Sequence, residues 1–164
     1  MRRPYVVAFL VVLLAFFGLY YWRAQAAGRL DLTDHQEICE KLTAWALGQQ
    51  QLRGNEQALI DFSFFSDKNV VLTFESCDPP TILPKLSEKQ QINVVETDAV
   101  KAIHAERGFD DTVYIGIACL ARGKYKTSYT VSIMFASLGG EGYDFEITKD
   151  TLGLKYSGKN SWIS

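Results

Sequence analysis

Histidine and cysteine are scarce in this chain, and neither stands where catalysis or metal binding would need it. Among 164 residues there are two histidines, His35 and His104, and three cysteines, Cys39, Cys77 and Cys119. No C-x-x-C occurs, and the histidines do not join the cysteines at any familiar zinc-site spacing, so neither a structural metal nor a redox motif is encoded. His35 and Cys39 are four apart, a spacing at which helical side chains meet, and a Cys activated by His is a known nucleophile design. However, His35 falls in a first helical turn, where the dipole disfavours imidazolium, and Cys39 borders an apolar stripe. Both are read as packing residues.

The other elements of a catalytic set are missing too. Gly139, Gly140 and Gly142 make no phosphate loop, because no Lys-Ser/Thr follows them, and they are read as hairpin glycines in a loop or turn. Asp110 and Asp111 lie in no calcium-loop spacing and are read as a solvated turn. We therefore expect no enzyme: no catalytic residue, no cofactor-binding residue, no metal ligand and no cofactor.

Basic charge is in short supply. The chain has 17 Lys+Arg against 19 Asp+Glu, and setting aside Arg2, Arg3 and Arg23 leaves 14 basic residues against 19 acidic ones from Ala27 onward. That balance argues against nucleic acid as a partner. The densest basic stretch, "ARGKYK" with Arg122, Lys124 and Lys126, is read as a solvated hairpin turn.

One long hydrophobic run is present, at the start. From Pro4 to Trp22 there are nineteen residues without a charge, about 28 Å as a helix and close to the hydrocarbon thickness of a bilayer. Arg2 and Arg3 precede it, and Tyr20-Tyr21-Trp22 ends it with aromatics suited to a headgroup layer. Residues 1–26 are therefore expected to be an uncleaved signal anchor that meets the lipid bilayer through residues 4–22. The positive-inside bias makes it a single pass through a cytoplasmic (inner) membrane, with the N-terminus in the cytoplasm and residues 27–164 extracytoplasmic. The alternative is a secreted or periplasmic chain, cleaved after Ala26 at the A-x-A pattern Ala24-Gln25-Ala26.

The 138 residues that follow fit one domain. "LTDHQEICEKLTAWALGQQQLRGN" reads as a helix that Asp34 caps, Glu37 completing a capping box, with Gly54-Asn55 as its stop. Ile60, Phe62 and Phe64, then Val70, Leu72 and Phe74, alternate with polar residues and read as a hairpin across Ser66–Asn69. Three of the four prolines lie in "CDPPTILPKLSEKQQ", which can only be a long connection. "TDAVKAIHAERG" starts at Thr97 or Asp98, stops at Gly108 and reads as a short helix. "TVYIGIACLA", "SYTVSIMFAS", "YDFEITK" and a last short "LGLKY" are strands. The expected fold is α+β: a transmembrane helix, then one domain in the order α-ββ-α-βββ(β), with a long helix packed on a curved antiparallel sheet of about five or six strands. In element order this is similar to the cystatin-like and NTF2-like architectures, and no motif goes further.

Strand parity gives two further expectations. Cys119 continues the inward series Val113, Ile115, Ile117, and Cys39 adjoins the inward stripe of the first helix, whereas Cys77 shares parity with Thr73 and Glu75 on the solvent side. Any disulfide should thus join Cys39 to Cys119. Phe65, Tyr114 and Trp162 fall off the inward positions and are candidate surface contacts. The expected function is a membrane-anchored extracytoplasmic, non-catalytic protein-binding module, an envelope assembly component or an inhibitor or immunity-type partner of unknown target. The alternative is a small-ligand carrier or sensor with an apolar pocket between helix and sheet.

Overall fold

A computed structural model of the chain describes residues 12–16, 18–19, 28–55, 65, 67–84, 91–137 and 139–163. Residues 12–16 and 18–19 are helical, and the rest of the Pro4–Trp22 run lies outside the described residues. No helix among the described residues is long and apolar enough to cross a membrane.

Helix α1 (Leu32–Ala46) is followed by β1 (Asn69–Glu75), β2 (Ile92–Val95), a 3₁₀ turn (Thr97–Ala99) and α2 (Val100–Arg107). Four long strands complete the domain: β3 (Thr112–Ala121), β4 (Lys126–Ala136), β5 (Gly139–Asp150) and β6 (Gly153–Ile163). They form one six-stranded sheet in the order β2-β1-β3-β4-β5-β6. The protein is thus α+β in kind, with a mixed sheet in place of the antiparallel one expected. From β3 to β6 all pairs are antiparallel, but β1 runs parallel to both β2 and β3. Parallel neighbours need a crossover connection. The proline-containing stretch between β1 and β2, and the 3₁₀ turn with α2 between β2 and β3, supply the two crossovers. With β2 and β3 on its two sides, β1 has no edge left for the expected hairpin with Ile60–Phe64, a segment that lies outside the described residues.

Helix α1 starts one turn earlier than the capping pattern suggests. Asp31 is its N-cap, accepting the Asp34 amide at 2.9 Å, and the Asp34 carboxylate reaches back to the Asp31 amide at 2.9 Å. Asp34 is buried, and both its oxygens accept from Lys149 Nζ on β5, at 2.8 and 2.9 Å, which ties the first turn of the helix to the sheet. The helix also stops early. Gly48, with φ 70°, supplies the left-handed residue after Leu47, and its amide donates to Trp45 O; glycine holds that conformation without a Cβ clash.

One core lies between α1 and the sheet. Ile38, Leu42, Trp45 and Ala46 of the helix meet Val70, Leu72, Val113, Ile115, Ile117, Tyr129, Val131, Ile133, Phe145, Ile147 and Tyr156 of the strands. Trp45 is wholly buried and meets Tyr143 and Phe145 edge-on, both with centroids 4.9 Å away. That is the favoured arrangement for aromatic quadrupoles.

The glycines expected in a loop are strand residues instead, since β5 begins at Gly139. The "LGLKY" strand likewise continues to Ile163, so the tail with Trp162 is part of the sheet.

Candidate functional site

Two places gather side chains that could carry a function. The first lies where the N-terminal half of α1 approaches the ends of β1, β3 and β4. Tyr129, fully buried on β4, is its centre: its hydroxyl is 3.1 Å from His35 Nδ1 on α1, and burial together with the nearby Cys39 and Cys119 thiols raises its pKa. Cys119 pairs with Tyr129 in the register of β3 and β4, on the core face as its parity predicts. Cys77 is there as well. Its thiol lies close enough to that of Cys39 for the two to shift each other's ionisation, and it is 3.6 Å from the carbonyl of Ile117.

Parity misplaces Cys77 for a local reason. Ser76 has φ 56°, the only non-glycine residue with positive φ among those described. A left-handed residue breaks the alternation of side chains, so Cys77 turns under the sheet end and packs, half-buried, against the core. Such a conformation costs about 1–2 kcal/mol in a residue with a Cβ, and the Arg122 guanidinium holds it by donating to Ser76 O at 2.6 Å. The Arg122 guanidinium also interacts electrostatically with the Cys119 thiol. All three cysteines are present as thiols.

The electrostatics differ from thiol to thiol. The neighbouring Cys77 thiol and burial push the Cys39 thiol strongly up. The same contact, seen from the other side, pulls Cys77 down, and nearby Arg122 adds to the effect. Of the two, Cys77 gives up its proton first. Burial lowers His35 below its ordinary 6.5, helped by Arg122 and opposed by Asp34 and Asp31, so the imidazole is neutral at pH 7. A cavity of about 350 Å³ between the first turn of α1 and the Cys77–Thr81 stretch gives access to Cys39 and Cys77. A shallower depression of about 660 Å³ on the other side reaches Cys77 and Cys119. Of the three cysteines, Cys77 alone borders both. Among the described residues no group of three His, Cys, Asp or Glu side chains is arranged to hold a metal ion.

The second place is the outer face of the sheet at the end of β6. Trp162 pairs with Gly142 of β5, and its indole lies across Gly142 and Gly140, where any Cβ would run into the ring. The two glycines, which read as turn formers, make a shallow slot for an aromatic plate. Trp162 remains 40 % exposed, and Met134, which pairs with Gly140 across the β4–β5 ladder on the same face, is 43 % exposed. An aromatic laid over strand glycines is a recognised stabilising device in sheets, which accounts for the ring's position but not for the apolar surface left in water.

The remaining sequence candidates separate. Tyr114 is no surface contact. It is 6 % exposed, its hydroxyl donates to Gly108 O at 2.8 Å, and its ring meets those of His104 and Phe109. Phe65 packs half-buried against the core, 5.4 Å from Phe135. His104, at 4.5 Å from Phe109, belongs to this aromatic cluster under α2.

Compared with protein-family models, with curated proteins and with solved structures, the chain matches none.

Proposed function

We propose that this chain is a membrane-anchored, extracytoplasmic protein-binding module without catalytic activity, held by residues 4–22 and engaging its partner through the outer face of β4–β6. The observation that carries this reading is the Trp162 plate. A Trp laid over Gly140 and Gly142, with exposed Met134 beside it on the same face, is the kind of preorganised aromatic anchor that dominates protein interfaces. Further along the same strands, Ser128, Glu146, Ser157 and Lys159 line a depression of about 410 Å³ and add polar surface to this face.

The filled layer between α1 and the sheet favours surface binding over an enclosed apolar ligand. Trp45, Tyr129, Tyr156, Phe145, Ile38 and Leu42 all lie below 2 % exposure there, and the cavities named above are peripheral. For the anchor, Leu14, Phe16 and Leu19 are each more than half exposed, so these apolar side chains are not used in the domain core. An extracytoplasmic domain follows from the Arg2-Arg3 flank.

The test is a photo-cross-linking side chain placed at Met134 in intact cells, with Thr148, on the same face but away from Trp162, as control. A discrete adduct from position 134 that is absent from 148 and lost on Trp162→Ala supports the proposal. Equal labelling at both positions, or none, overturns it. The anchor is tested separately: the chain should fractionate with membranes through high-salt washing, and a soluble mature chain beginning at Ala27 would exclude it.

A further inference from the structure

We propose that Cys39 and Cys77 form a redox-active dithiol, in which Cys77 attacks a low-molecular-weight disulfide entering the cavity beside α1 and Cys39 completes an intramolecular bond. This goes beyond protein binding and is independent of it, resting on where the fold places the two thiols. Three observations carry it. The Cys39 and Cys77 thiols lie close enough to shift each other's ionisation, and Cys77 packs against the core cluster that holds Cys39. Both members of the pair, and not Cys119, line the cavity of about 350 Å³ beside α1. The left-handed Ser76, braced by Arg122, turns Cys77 toward Cys39 against the alternation of its strand; strained residues of this kind cluster where a side chain must be aimed.

The roles within the pair follow from exposure and charge. Cys77 borders both depressions and is the more readily ionised, so it is the attacking thiol. Its thiolate attacks one sulfur of R–S–S–R, forming a Cys77–S–S–R mixed disulfide and expelling RS⁻, which takes up the proton that Cys77 gave. Cys39, 1 % exposed, then loses its own proton and attacks the Cys77 sulfur, forming the Cys39–Cys77 bond and releasing a second RSH. Two protein thiols are oxidised and one external disulfide is reduced to two thiols. The bond ties the middle of α1 to the end of β1.

The experiment uses the full chain in detergent, incubated with glutathione disulfide, then alkylated and mapped by mass spectrometry without reduction. The expected product is a Cys39–Cys77 cross-linked peptide with Cys119 alkylated, and a melting temperature about 10 °C above that of the reduced chain, as closing a loop of this length implies. Cys39→Ser should trap glutathione on Cys77, and Cys119→Ser should leave the bond unchanged. If Cys39→Ser does not fold, early time points of the native chain serve, because glutathione should appear first on Cys77. A dominant bond involving Cys119, glutathione first on Cys119, or three alkylated cysteines after full incubation would each overturn the proposal.

Discussion

The two halves of the sheet bury their faces differently. In the parallel half, β2-β1-β3, Val70 and Leu72 face α1, and Val71, on the other side, is still only 1 % exposed; it pairs with Tyr114, which is covered by His104 and Phe109. In the antiparallel half Tyr129, Val131 and Ile133 are buried against the helix, while Ser128, Thr130 and Ser132 between them are less covered and Lys126 is exposed. The lesson is a physical one. A crossover connection must pass over one face of the sheet, so the parallel strands acquire a cover and need apolar residues on both sides. Hairpin connections pass over neither face, and the outer side of β4–β6 stays open to water.

The sharpest way to break this comparison is to place the same charge on the side away from α1 in each half. Val71→Asp puts a carboxylate at a position only 1 % exposed, and should cost at least about 3 kcal/mol or prevent folding. Thr148→Asp, exposed between Lys126 and Lys155 in the β5 register, should stay within about 0.5 kcal/mol. Urea unfolding of both variants measures the difference. Similar costs would mean that the second face of the parallel half is not closed.

This same contrast separates what was legible in the sequence from what was not. Alternation in "SYTVSIMFAS" and "YDFEITK" located β4 and β5 and their inward residues, because one wet face leaves a period-two record. In "NVVLTFE" the run Val70-Val71-Leu72 is continuous, a signature of two buried faces, yet the alternating Leu72, Thr73 and Phe74 after it suggested a hairpin. Parallel pairing leaves no turn residues to read, since its partners lie far along the chain. Tyr114 was misplaced for the same reason: off the α1 face meant exposed only if that face were wet. Cys77 and Gly142 failed locally. A single left-handed Ser76 reversed one side chain, and glycines that resemble a turn were instead room for a tryptophan 20 residues on. Neither a φ angle nor a long-range stacking leaves a periodic trace.

Gly142 offers an intermediate test within the antiparallel half. Gly142→Ala adds a Cβ that collides with the Trp162 ring, so the indole must lift from the sheet. The expected stability loss is about 1 kcal/mol, because the ring is 40 % exposed and only part of its burial is forfeited. The more informative readout is the Trp162 indole N–H resonance, assigned with Trp162→Phe, which should shift and broaden. Cross-linking from Met134 should weaken in parallel if the plate is the partner's anchor. An unchanged indole resonance would show that the ring does not rest on Gly142.

The smallest expected effect lies at the seam between the halves, where His35 meets Tyr129. Burial lowers the His35 pKa below 6.5, with Arg122 acting in the same direction and Asp34 and Asp31 opposing; the N-terminal dipole of α1 also opposes protonation. An unfolded chain therefore binds a proton at His35 at higher pH than the folded chain does. By linkage, stability falls as pH drops through the ordinary histidine range and levels off below the folded-state pKa. The relevant quantity is the difference between the native chain and His35→Gln, whose amide can still meet the Tyr129 hydroxyl. Melting temperatures between pH 7.5 and 5 should decline less in the variant than in the native chain. Identical slopes would mean that His35 is as free to protonate in the fold as in water, and that the seam is open to solvent on the His35 side, whereas a steeper decline in the variant would mean that the acidic pair Asp31 and Asp34 outweighs burial and holds the imidazolium in place.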